Sequence, residues 1–127
     1  MTYVIELRPS ERILIDSAAL GEVFKRLGSR RAEDFVMETV ESISDTLAEV
    51  DAEIRTDDPL AAIAPRALYV SHLSEQIGLT SLARVARDLQ NAALQADVVA
   101  CRAVWDRLVR IGDGSLMLIW EQQGLSM

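Results

Sequence analysis

At 127 residues and 14.0 kDa, the chain is long enough for one domain with a single buried core, and its one cysteine cannot form an internal disulfide. Half of its residues are hydrophobic but only 5% are aromatic, an aliphatic mixture suited to packed helices. A net charge of −7 argues against nucleic-acid binding, and no apolar run approaches the ~20 residues that span a bilayer.

The N-terminus has no charged segment followed by an apolar one, so no secretory signal is expected and a reducing cytoplasm is the expected setting. Residues 1–15 admit two readings. Tyr3, Val4, Ile5 and Leu7 suit an extended arm, whereas Ile13, Leu14 and Ile15 suit the start of a helix. Asp16 or Ser17 then serves as an N-cap, and Leu20, Val23, Phe24 and Leu27 follow at helical spacing. Gly28 closes that helix and Ser29 can cap the next.

The second helix is the clearest element. Val36, Val40, Ile43, Leu47, Val50 and Ile54 repeat at intervals of four and three, a continuous apolar seam. Glu33, Asp34, Glu38, Glu41, Asp45 and Glu49 lie largely off it. Ten acids and one base, Arg55, fall between Glu33 and Asp58, whereas six acids balance six arginines after Pro59. The acidity therefore belongs to one helix. Its plain reading is a solvated back, and its functional reading is a surface for a basic partner.

Thr56, Asp57, Asp58 and Pro59 mark a turn into the third helix. Pro65 would cost about 3 kcal/mol in a helix interior, so this helix either kinks there or begins near Ala64. Leu60, Ile63, Ala67, Val70, Leu73 or Ser74, and Ile77 form its core stripe. Gly78 ends it, and Thr80 or Ser81 can cap a fourth helix carrying Leu82, Val85, Ala86, Leu89 and Ala93. Asp97 can cap a fifth, with Cys101, Val104, Trp105, Leu108 and Ile111 inward. Gly112-Asp113-Gly114-Ser115 reads as a breaker before a short apolar helix from Leu116 to Trp120. Those last residues cannot all face one core. They are expected to pack on Tyr3–Leu7 or to join a homodimer through residues 116–120.

The expected architecture is all-α: an antiparallel four-helix bundle with an extra N-terminal helix or arm and a short C-terminal helix, all within residues 1–127. No Cys/His cluster offers metal ligands, no glycine-rich loop cradles phosphate, and a single histidine leaves no nucleophile triad, so neither a cofactor nor autonomous enzyme activity is expected.

From Asp16 to Gly112 the chain resembles a histidine phosphotransfer domain. The stretch IDSAALGEVFKRLG is similar to that family's first helix, and the long second helix and Asp-initiated third also fit. The family's third helix carries His-x-Leu-Lys-Gly, followed by a further glycine and spaced Leu, Ala and Leu. Gly78-Leu79, Leu82, Ala86 and Leu89 match the latter part. Counting back ten from Gly78 puts Leu68 at the phospho-histidine, Val70 at the apolar position, Ser71 at the lysine and His72 at the glycine. The resemblance implies a cytoplasmic two-component signalling protein whose partner is a response-regulator receiver or a histidine kinase.

The departures fall on the chemistry. Phosphotransfer needs an exposed imidazole in line with the receiver's aspartyl phosphate, with the receiver supplying the metal ion. Leu68 is no nucleophile, Ser71 brings no positive charge and His72 adds bulk, so a conventional relay through position 68 is excluded. His72, the only histidine, is about 40° around the helix from Leu68 and about 6 Å further along. It is the one candidate phosphoacceptor, and its plain reading is a surface histidine. Leu68, Tyr69, Ser71, His72 and Glu75 are the expected docking patch, with Arg66, Arg84 and Arg87 able to screen an acidic receiver pocket or to form ordinary surface pairs.

Overall fold

The structure, a computed structural model, describes residues 2–8, 11–56 and 60–123. It opens with an antiparallel hairpin, β1 (Thr2–Arg8) and β2 (Glu11–Asp16), in which Val4 faces Leu14 and Thr2 faces Asp16. Five helices follow: α1 (Ser17–Leu27), α2 (Ser29–Arg55), α3 (Ile63–Gln76), α4 (Thr80–Leu94) and α5 (Val98–Gln123). A short 3-10 turn, Leu60–Ala62, leads into α3. The expected turn at Asp57, Asp58 and Pro59 lies outside the described residues.

Of the two readings of the N-terminus, the extended arm is the one that forms, and Ile13–Ile15 continue it as a strand rather than starting a helix. Alternation explains this: Ile13 and Ile15 are fully buried while Leu14 between them is only half-buried. The backbone N–H groups of Leu14 and Asp16 point away from β1 and are spent on the helices. Leu14 N–H donates to Ser81 Oγ at 2.7 Å, and Asp16 N–H to the Gly78 carbonyl at 2.7 Å. Ser81 thus holds β2 and does not cap α4. The Asp16 side chain turns forward to cap α1, accepting from the N–H groups of Ala18 and Ala19.

The helix ends follow local chemistry. Gly28, at φ +82°, closes α1 and accepts from Ala32 to open α2, so Ser29 lies inside the second helix. Pro65 is the third residue of α3, where its missing N–H belongs to the first turn's unpaired donors, and no interior bond is lost. At the other end, Gly78 N–H reaches the Glu75 carbonyl (3.2 Å) and Leu79 N–H reaches Ser74 (2.8 Å). That pair is a Schellman motif, and it requires the left-handed φ of +79° that Gly78 adopts. A Cβ at Gly78 would also drive into the Asp16 carbonyl oxygen, so this glycine serves two demands at once. Asp97 caps α5 as expected, with Oδ1 accepting from Ala100 N–H at 3.0 Å.

One expectation fails plainly. The Gly112–Ser115 stretch does not break the chain: α5 is a continuous helix of 26 residues, and the described residues contain no separate C-terminal helix. Leu108, Ile111, Ser115, Leu118 and Ile119 are all buried at three- and four-residue steps across the glycines. Burial of that stripe outweighs the ~1 kcal/mol that each helical glycine costs. The apolar run after Leu116 packs partly into the chain's own core, where α5 lies against β2.

The core runs through the middle of α2 to α5. Val36, Val40, Ile43 and Val50 come from α2, Ile63 and Val70 from α3, Leu82 and Leu89 from α4, and Trp105 and Leu108 from α5. Contact is most extensive between α3 and α4, then between α4 and α5, and sparse between α2 and α5. No helix among the described residues is long and apolar enough to cross a membrane.

Candidate functional site

The third helix has a narrow inner face and a broad outer one. Ile63, Ala64, Ala67, Val70, Ser71 and Ser74 are buried. Pro65, Tyr69, His72 and Gln76 are exposed and recur at steps of four, three and four, which puts them on one outward stripe. Leu68 lies half-buried on one flank and Glu75, exposed, about two turns beyond it on the same side. Tyr69 leaves 48% of its surface in solvent, a large value for an aromatic side chain.

Two expected members leave this patch. Ser71 is fully buried, and its hydroxyl donates back to the Leu68 carbonyl at 2.6 Å. Four residues from Ala67 and three from Ser74, both buried, it falls on the inner face and cannot meet a partner. Arg66 is turned towards α2. Its Nε donates to Glu49 at 2.7 Å and its Nη1 bonds to Glu53, tying the third helix to the acidic second one. The Glu49 hydrogen bond leads in pushing the Arg66 pKa further up; a smaller desolvation opposes it and the Glu53 charge adds to it.

On the opposite flank, Glu75 pairs with Arg87 of α4. Both line an open cleft of about 310 Å³ with Asp16, Ala19, Gly78, Thr80, Ala83 and Arg84. Arg84 is exposed and has no ion pair among the described residues. The structure brings Glu75, Arg84 and Arg87 together around this one cleft. It adds Asp16 and Thr80, which no helical spacing could have found, because the bond from Asp16 to Gly78 delivers them. The cleft holds two carboxylates and two guanidinium groups. It is charge-balanced and has no catalytic pair within it.

Among the described residues no group of three or more His, Cys, Asp or Glu side chains is placed to hold a metal ion. Cys101 is buried, and burial, aided by the Asp97 charge, raises its thiol pKa. Such a thiol is a packing group and a poor nucleophile. Trp105 is likewise a core residue, at 7% exposure.

Set against known protein families, curated proteins and solved structures, the chain has no significant match.

Proposed function

We propose that this chain is a degenerate histidine-phosphotransfer-like bundle that works by docking a response-regulator receiver, or a histidine kinase, on the outward face of α3. In this reading α2 to α5 are the antiparallel four-helix bundle of phosphotransfer type, and α1 and the hairpin are additions to it. The observation that carries the proposal is the exposed stripe of Tyr69 and His72 flanked by half-buried Leu68, above the cleft of Glu75, Arg84 and Arg87. Tyr69 and Leu68 supply the apolar anchors, and the polar groups around them form the rim. Leucine at the family's phospho-histidine position makes occupancy, not phosphoryl transfer, the output, in a cytoplasmic signalling setting.

A second reading keeps the relay with His72 as acceptor. It is favoured by one fact: the His72 ring is exposed and has no hydrogen-bond partner among the described residues. The imidazole nitrogen would attack phosphorus, and the receiver's aspartate would leave as carboxylate. The reading as an assembly subunit joined through residues 116–120 has less surface to use. Leu118 and Ile119 are buried in the chain itself, Leu116 and Trp120 are half-buried, and Met117 is the exposed member at 64%.

The test is a panel of phosphorylated receivers incubated with the wild type, Leu68→Arg and His72→Ala, read by binding and by intact mass at neutral pH. Binding without mass gain, lost in Leu68→Arg and kept in His72→Ala, is the expected result. A phosphoryl adduct absent from His72→Ala would establish the relay instead. Receiver binding indifferent to Leu68→Arg would remove the proposed face.

A further inference from the structure

The seam between α2 and α5 is open on a side of the bundle that the α3 surface does not use. A groove of about 340 Å³ runs along it, lined by Ser44, Leu47, Ala48 and Asp51 of α2 and by Trp105, Val109, Gly112, Asp113 and Leu116 of α5. Its floor is apolar. Val109 keeps 40% of its surface in solvent, one turn beyond the core residue Trp105. Its rim is acidic, with Asp113 free of ion pairs among the described residues and Asp51 held at 3.0 Å only by the highly exposed Arg55.

Gly112 is the second observation. It sits in mid-helix, where glycine is among the least favourable choices, and its φ is not positive. A Cβ there would meet Leu82 Cδ1 at 3.7 Å and Leu47 Cδ1 at 3.8 Å, ordinary contact distances. The free chain therefore has room for alanine. The glycine is buried, and the side chains its Cβ would meet belong to α2 and α4, so it leaves the helices loosely packed beneath this groove.

From these we infer that the α2–α5 groove receives an amphipathic helix of a partner protein, with an apolar stripe flanked by Lys and Arg. Charge selects that occupant. The rim aspartates adjoin the acidic back of α2, which carries Glu33, Asp34, Glu38, Glu41 and Asp45, and the whole chain is at −7. A basic helix is attracted along its length, whereas a second copy of this chain would bring like charge to like.

The probe is a leucine/lysine amphipathic peptide of about five turns, compared with its leucine/glutamate counterpart. Trp105 lines the groove and reports occupancy by fluorescence once Trp120 is replaced by Phe. Saturable binding of the basic peptide alone is expected, weakened about tenfold or more by Val109→Glu and several-fold, with loss of salt dependence, by Asp51→Lys with Asp113→Lys. Gly112→Ala, whose Cβ would face Leu82 and Leu47, should raise Tm by about a few degrees and leave the peptide's affinity unchanged, which separates docking from folding. Equal binding of both peptides would overturn the inference, as would binding unaffected by Val109→Glu. Self-association abolished by Val109→Glu would also overturn it, by making a second copy the occupant.

Discussion

The α3–α4 and α2–α5 seams are built on opposite terms. The first is closed by small residues: Ala64, Ala67, Ser71 and Ser74 on one helix, Ala83, Ala86 and Ala93 on the other, all buried, so the backbones come close. It is locked at its end by Gly78, which caps α3 and takes the bond from Asp16. The second seam is lined by larger side chains, Leu47 and Trp105, around a glycine, and its helices touch sparsely. Two seams of one helical fold therefore differ in what their glycines do. Gly78 is fixed by backbone geometry, and Gly112 by nothing within the chain itself.

One substitution made at both sites breaks the comparison most sharply. Gly78→Ala places a Cβ at φ +79° and against the Asp16 carbonyl, so a loss of about 3 kcal/mol is expected in urea unfolding, from left-handed strain and the displaced β2–α1 junction together. Gly112→Ala should go the other way, stabilising by about 1 kcal/mol, because helix propensity improves and the Cβ meets only ordinary contacts. Losses of similar size at both positions would show that the α2–α5 seam is as closed as the other. Within the closed seam, Ser74 is fully buried and its hydroxyl has no hydrogen-bond partner among the described residues. Ser74→Ala removes that unpaired group and should stabilise by a little under about 1 kcal/mol; destabilisation would mean that the hydroxyl is paired in solution.

The long-range ties explain which parts of this fold could be read from residue order. The seam of α2, the caps at Asp16 and Asp97 and the stop at Gly78 are written within a few residues of one another, and the sequence states them directly. The strand at Ile13–Ile15 was ambiguous because three apolar residues in succession fit either period. Its bonds to Ser81 and Gly78, more than sixty positions away, decide the matter. Gly112 and Gly114 looked like punctuation because local propensity is all that a breaker reading weighs, whereas the buried stripe from Leu108 to Ile119 is a tertiary fact. At the candidate site, helical spacing placed Tyr69 and His72 outward together. It could not show Ser71 turned inside or Arg66 drawn to Glu49 and Glu53, since both depend on where the neighbouring helices lie.

The smallest expected effect lies in α5, beside its N-terminal cap, and it is read through pH. Cys101 is buried, and the Asp97 carboxylate adds to the burial in holding its thiol proton on above the ordinary range. As pH rises past the ordinary thiol value, the unfolded chain releases this proton while the folded chain retains it, so stability falls through that window and levels off above the folded pKa. Below the window Cys101 contributes no slope. Cys101→Ala should therefore lower stability at neutral pH by the void it leaves, yet flatten the alkaline decline of the urea midpoint. An alkaline slope unchanged by the substitution would assign that decline to other groups and leave the thiol only a packing role. Wild-type Cys101 should also resist alkylation by iodoacetamide until the chain unfolds, since neither access nor thiolate is available in the closed interior around α4 and α5.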